Sequence, residues 1–418
     1  MSIPSPAPHD LSGARYTFGT RVAVGAMTVV LVTLPFAHSV AVRTIALGVA
    51  LCAALVAWRA LRVPRMPMLW YFVLLAAIGG LSLVWSVDPE YSRGELKTEL
   101  LYPFLVFVFM FAITRDRRTL VWWGAAIALA IVLSVTGPFG AWLDPSTGRP
   151  ARGVLYNGAG FYSTWIVIVY PFVLAAALST TLTARSRQIA FALAIAAVVA
   201  GYVTFNRTFP FVIVLETIVL VSWSTFARTE TRRYLPLALA AIATVMLLAG
   251  LIAVQKERLV VSPTHDADVV VSMQRDVRWA LWGEALERIA VKPLQGAGFG
   301  RGILRHELPK RYDNTYLWHA HNFVLNSGLQ MGVPGMALIL ALFGAALWHL
   351  GRAYRVSDES LRPYVVAAMV MVAGVFLKNQ TDDFFVRQTA LAFWAALGAL
   401  LGVTARMKRD RERVPAPA

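Results

Sequence analysis

The sequence predicts an all-α polytopic membrane protein with about 12 transmembrane helices. Three observations predict it. Of the 418 residues, 58% are hydrophobic and only 15% charged, and the mean hydropathy is +0.61; a water-soluble fold does not carry that balance. Apolar stretches near the roughly 20 residues that a bilayer crossing requires follow one another almost end to end. Arginines cluster in alternate connections between those stretches, the pattern that orients membrane helices.

Hydropathy places helices at 21–39, 41–60, 68–86, 97–114, 119–137, 159–181, 187–205, 209–227, 233–254, 321–350, 363–378 and 385–405. The first lacks a small-residue cleavage site and reads as a retained helix rather than a signal peptide. The fourth is broken around Pro103, and the tenth contains Pro334, which predicts a kink. Orientation follows from six basic groups. These are Arg59, Arg62 and Arg65; Arg115, Arg117 and Arg118; Arg185 and Arg187; Arg228, Arg232 and Arg233; Arg352, Arg355 and Arg362; and the tail Arg406, Lys408, Arg409, Arg411 and Arg413. All fall on one side if both termini are cytoplasmic. Residues 1–20 then form a cytoplasmic segment, 21–405 the transmembrane domain, and 406–418 a basic cytoplasmic tail.

The opposite side receives two polar segments. One joins Gly137 to Gly160; the other, 255–320, is the largest soluble piece and a subdomain of its own. Within the second, Val277, Leu281, Ala285 and Ile289 share a helical stripe, and Arg275, Arg278 and Trp282 follow one another along a neighbouring one. Gly296, Gly298, Gly300 and Gly302 read as a flexible turn; with no strand ahead of them they are not a dinucleotide fingerprint.

The formal charge of +16 is explained by topology, because the basic residues flank apolar spans and form no soluble face for nucleic acid. A single cysteine, Cys52, excludes an intramolecular disulfide framework and a cysteine-based zinc site. His265-Asp266-Ala267-Asp268 contains an Asp-x-Asp pair, a three-letter match too common in charged loops to argue for a metal. No Ser-His-Asp, Walker or zinc-protease pattern is present.

Trp318-His319-Ala320-His321-Asn322 stands where the large loop meets the tenth helix. A helix N-terminus opposes an imidazolium and favours an anion, so a neutral His321 is available there as a proton acceptor. Gly328, Gly332 and Gly335 fall within about 40° of His321 on a helix of 3.6 residues per turn, a small-residue stripe that admits close approach of another helix. An interfacial role for His319 and His321 at headgroup level accounts equally well for the composition. Arg207 lies in the short turn Asn206-Arg207-Thr208 on the same side, where a cation calls for an anionic partner. Arg152, Arg275, Arg278 and Arg301 share that side, and several arginines facing one cleft grip a diphosphate through forked hydrogen bonds. Each alone also reads as an ordinary loop cation, as do Arg288, Arg305 and Arg311. Asp382 and Asp383, in the last outer turn, are placed to orient His321 or pair with an arginine, or simply to be solvated.

These residues resemble a family. His321-Asn322, nine residues, then Gly332-Val333-Pro334-Gly335 resembles the H-[NSQ]-x9-G-x-x-G signature of the O-antigen ligases, within the superfamily that also holds O-antigen polymerases and bacterial O-oligosaccharyltransferases. Arg278-Trp279-Ala280-Leu281-Trp282 is similar to its R-x3-W helix, ahead of a Pro-x-x-G-x-G turn at Pro293–Gly298. Arg207 resembles the Arg of an R-x3-L element, with Phe211 in place of Leu. Arg152-Gly153 through Asn157 resembles R-x-x-G-x3-N-P, with the Gly shifted and Gly158 in place of Pro.

The resemblance implies a bacterial inner-membrane glycosyltransferase with a periplasmic active site. It would move O-antigen polysaccharide from undecaprenyl diphosphate to lipid A–core oligosaccharide, with inversion and without cofactor, metal or ATP. His321 is the implied general base. Arg207, Arg278, Arg275, Arg152 and Arg301 are the implied diphosphate-binding set, and His319, Asn322, Asp382 and Asp383 the residues that orient the base or the acceptor. Membrane lipids are further partners; nucleic acid is not. Alternatives are an O-antigen polymerase, which is expected to lack the histidine signature, and a lipid-linked saccharide flippase, which predicts ionisable residues deep in the spans. Apart from Glu216 and a few others the spans are uncharged. A protein O-oligosaccharyltransferase is expected to continue into an added C-terminal segment.

Overall fold

The apolar segments form helices in a computed structural model that describes residues 17–136, 158–204, 206–226 and 277–413. No strand occurs among the described residues. In chain order the helices longer than ten residues are α1 (Phe18–Thr33), α2 (Val40–Val56), α3 (Leu69–Leu81), α4 (Pro89–Ile113), α5 (Arg117–Thr136), α6 (Ala159–Leu178), α7 (Ala184–Tyr202), α8 (Phe209–Phe226), α9 (Arg278–Val291), α10 (Phe323–Val356), α11 (Arg362–Lys378) and α12 (Gln388–Arg413). Eleven of the twelve helices expected from hydropathy are therefore present; the twelfth, 233–254, lies outside the described residues, as do Arg152, Arg275 and the Asp-x-Asp pair. Among the described residues, eight helices are long and apolar enough to cross a membrane, with α1 and α3 shorter apolar companions. The protein is an all-α polytopic membrane protein.

Some of the basic groups meet: Arg409 donates to Arg62 O at 2.8 Å, and Arg117 pairs with Asp358 ahead of Arg362. Arg406 at the end of α12 is buried and donates to the carbonyls of Phe111 and Ala112 at 2.9 and 2.7 Å, with Leu61 O and Thr114 O also in reach. Its guanidinium thus sits among the orphan carbonyls that helix C-termini leave. Just above it α12 lies against α4 at close range, because Gly398 and Gly402 face the Phe107 and Phe111 carbonyls without a side chain between.

The site end is built around a break in α10. Met331 and Gly332 leave helical geometry, Gly332 with φ +67°. Pro334 lacks the N–H that would reach Gln330 O, and the break falls just before it. The freed groups bond to the Pro293–Gly298 turn. Ala297 N–H donates to Leu329 O at 2.7 Å, Gly298 N–H to Gln330 O at 3.0 Å, and Val333 N–H to Pro293 O at 2.7 Å. Gly332 is required, since a Cβ would meet the Pro293 carbonyl at a φ that L-residues avoid. The expected flexible turn is instead pinned from both sides. Trp85 Nε1 donates to Gln295 O, Val87 N–H to Ala297 O and Phe299 N–H to Ser82 Oγ.

α10 is consequently two pieces. Val333–Val356, 24 residues, measures about 36 Å at 1.5 Å per residue, enough for a hydrocarbon core of about 30 Å. The shorter Phe323–Gln330 piece packs against α9. There Leu281, Ala285 and Ile289 of α9 pack with Leu304, Leu308, Leu317, Ala320 and Leu329. Gly328 lets Ile289 close in, so α9 is the helix admitted by the small-residue stripe.

Candidate active site

His321 precedes α10 by two residues, in a left-handed conformation with φ +49°. Asn322 is the N-cap: its Oδ1 accepts from Leu325 N–H at 2.9 Å, while Nδ2 donates to Gln380 O at 2.9 Å. Phe323 N–H donates to Asn379 O. These bonds bind the start of α10 to the turn after α11, which carries Asp382 and Asp383.

The two acids take different partners. Asp382 Oδ1 lies 2.9 Å from His321 Nδ1, both side chains about 15% exposed. Burial works to raise the Asp382 pKa, but the His321 hydrogen bond and the charges of His321, Arg278 and Lys378 outweigh it and hold the carboxyl below the usual range. Asp383 faces inward, 3.5 Å from Arg301 Nε, and accepts from Asn326 Nδ2 at 3.0 Å. Burial pushes its pKa up against the pull of Arg301, and the neighbouring Asp382 adds to the rise.

The two histidines are chemical opposites. His319, 2% exposed, has Arg301 Nη2 2.8 Å from Nε2 and the His321 backbone N–H 2.9 Å from Nδ1. An arginine can only donate, so an imidazolium here would have no acceptor for its protons. Burial, then the charge of Arg301, depresses the His319 pKa well below the ordinary histidine value. His321 instead has acceptors at both nitrogens, Asp382 at Nδ1 and the Tyr316 carbonyl 2.9 Å from Nε2. The rings stand 4.0 Å apart.

The structure places the predicted arginines unequally. Arg301 is 6% exposed and enclosed by Asp383, His319 and the Trp318 ring, whose centroid is 4.7 Å from its guanidinium carbon. It supports His319 and, with Glu99, Gln330 and Asp383, lines a cavity. Arg278 begins α9, half-buried, close enough to His319 and Asp382 to shift both. Arg207 is exposed in the turn before α8. Arg288 and Arg311 pair with Glu284, and Arg305 pairs with Asp88 at 2.6 Å while stacking on Tyr91.

Sequence reasoning missed Lys378. It is fully buried at the end of α11, donates to Asn206 Oδ1 at 3.1 Å, and acts electrostatically on Asp382. It thereby joins the Arg207 turn to the His321 turn. The signal in the sequence is a lysine at the end of an apolar stretch, four residues before Asp382. Trp282 was noted for spacing alone; its indole N–H donates to Ala320 O at 2.9 Å, tying α9 to the histidine strand.

No match is found among curated proteins. Residues 163–340, from α6 through the kink of α10 and including Arg207, Arg278, Arg301, both histidines and Gly332, match the family model described as O-antigen ligase.

Proposed function

We propose that the protein is an O-antigen ligase. It transfers O-antigen polysaccharide from undecaprenyl diphosphate to lipid A–core oligosaccharide on the periplasmic face of a bacterial inner membrane, with both termini cytoplasmic. The observation that carries this reading is the partly exposed His321–Asp382 pair, whose histidine lies within the segment matching the ligase family. A carboxylate on Nδ1 fixes the ring and favours the positive charge that base catalysis creates.

In the proposed step, Nδ1–H of His321 remains on Asp382 and Nε2 takes the proton of the acceptor hydroxyl. The acceptor oxygen forms a bond to the anomeric carbon from the face opposite the diphosphate. The anomeric carbon–oxygen bond breaks, and its electron pair leaves with the diphosphate, inverting the centre. Arg207 and Arg278, with Arg152 and Arg275 as further members of the set, take up the leaving charge. Arg301, His319, Asn322 and Asp383 hold the frame. Neither ATP nor a metal is needed for a donor that already carries its leaving group.

The test is transfer in liposomes by purified protein with undecaprenyl-diphosphate-linked polysaccharide and lipid A–core, with no energy source. Wild type is expected to transfer, and His321→Ala to lose about 10²–10⁴-fold. Normal transfer by the variant overturns the base assignment; none by wild type overturns the ligase reading. Elongation of the lipid-linked saccharide in place of transfer to lipid A–core identifies a polymerase.

A further inference from the structure

The nitrogen that must receive the acceptor proton is already engaged. His321 Nε2 lies 2.9 Å from the Tyr316 carbonyl, so a substrate hydroxyl and this carbonyl compete for one position. The strand between them is well defined at both ends. Asp313 (φ +47°) and His321 (φ +49°) are non-glycine residues in left-handed conformation. Asn314 Oδ1 accepts from Tyr316 N–H at 2.9 Å, and Leu317 N–H donates to Asn314 O. Leu317 is buried, and Trp318 packs on Arg301 and His319. Tyr316 is the aromatic that projects outward, 71% exposed, beside the one ring nitrogen that chemistry requires.

We propose that the Asn314–Trp318 strap is the acceptor-recognition element. The Tyr316 ring stacks on the apolar face of the acceptor sugar, and the Tyr316 carbonyl accepts from His321 Nε2–H until the acceptor enters; that proton then passes to solvent water, and the freed Nε2 lone pair takes the proton of the acceptor hydroxyl. The ligand class is a pyranose ring with a free hydroxyl, held by C–H contact with the aromatic face and by one hydrogen bond. The exchange has a chemical consequence. With no acceptor bound, Nε2 is covered, so water cannot be activated against the donor and the polysaccharide is not lost to hydrolysis. After transfer, the proton on Nε2 again meets the Tyr316 carbonyl as the strap returns. This proposal rests on His321 being the base, and the test separates the two.

Acceptor titrations at saturating donor would compare wild type, Tyr316→Ala, Tyr316→Phe and Tyr316→Trp in liposomes, with lipid A–core and, in a second arm, a lipid-linked repeat as acceptor. Tyr316→Ala is expected to raise the acceptor KM about tenfold, the affinity equivalent of one aromatic stacking contact, with donor KM unchanged. Phe and Trp are expected to keep the wild-type value, because the ring and not the hydroxyl does the stacking. The arm whose KM moves names the acceptor source. Hydrogen exchange of residues 313–321 gives a readout independent of turnover: acceptor alone should alter it, donor alone should not. An unchanged acceptor KM in Tyr316→Ala, or a strap whose exchange ignores the acceptor, overturns the proposal. Loss of transfer in His321→Ala with the Tyr316 effects absent would leave the base assignment standing and remove only the strap.

Discussion

Asp382 Oδ1 and His321 Nδ1 meet at 2.9 Å across 61 residues of sequence, and the bond is made possible by a turn bolted to the start of α10 through Asn322 and Asn379. Asp382→Asn keeps the shape and removes the charge. An amide presents Nδ1 with either a weaker acceptor or a donor, so kcat is expected to fall by about 10²-fold or more, with acceptor KM little changed. Equal kcat for wild type and variant would show that the carboxylate does not serve the base. Because the Asp382 pKa is depressed, its contribution is present through neutral pH and is lost only as pH falls through a value below the usual carboxylate range.

His319 predicts the opposite kind of titration. Its folded-state pKa lies well below the ordinary 6.5, so the unfolded chain binds a proton that the folded one refuses. Stability therefore falls as pH drops below about 6.5, by up to about 1.4 kcal/mol per pH unit for the single group. His319→Gln is expected to flatten that limb by one proton, read as thermal unfolding in nanodiscs between pH 5 and 7. An unaltered slope would mean that His319 takes up its proton in the folded state.

The buried Arg301–Asp383 pair is expected to be strongly coupled. Arg301→Ala or Asp383→Ala leaves a charge buried without its counter-charge and should cost about 3–5 kcal/mol. Arg301→Met with Asp383→Leu should recover most of that stability without restoring activity, since His319 would lose the donor at Nε2. Additive losses in the double-mutant cycle would contradict the pairing.

Gly332→Ala tests the joint between α10 and the Pro293–Gly298 turn. The added Cβ meets the Pro293 carbonyl at positive φ, a strain of about 1–3 kcal/mol. Gly344→Ala, where a Cβ meets open space, is the control and should be silent. A Gly332 variant as stable as the control would show that the turn yields easily.

Hydropathy made the helices legible because an apolar run of bilayer length suits a membrane crossing and little else. The pinned Gly296–Gly302 segment was not, because glycine spacing looks the same in a slack turn and in one whose N–H groups are held by its neighbours. Arg301 could not be told from Arg278 by sequence. Both are loop-side arginines, and only the fold shows one enclosed by Asp383 and Trp318 while the other stands near Asp382. Lys378 read as the ordinary basic flank of an apolar helix. The Asp88–Arg305 pair spans 217 residues, a separation at which no local pattern applies. The histidine signature was legible as spacing, yet its geometry was not: the nine residues from Asn322 to Gly332 measure the short outer piece of α10 up to its break.

That break has a mechanical meaning. The ladder of helix hydrogen bonds running up from Val356 ends at the Gly332 joint, where Pro293, Ala297 and Gly298 take over the backbone groups. His321 therefore stands on the short piece packed against α9 and is not carried at the tip of an unbroken rod. Bilayers of different thickness are accommodated by helix tilt, and a rod tilting as one body would swing a residue at its tip sideways. The short piece that follows His321 instead rests, through the Pro293–Gly302 segment, on Ser82, Trp85 and Tyr91.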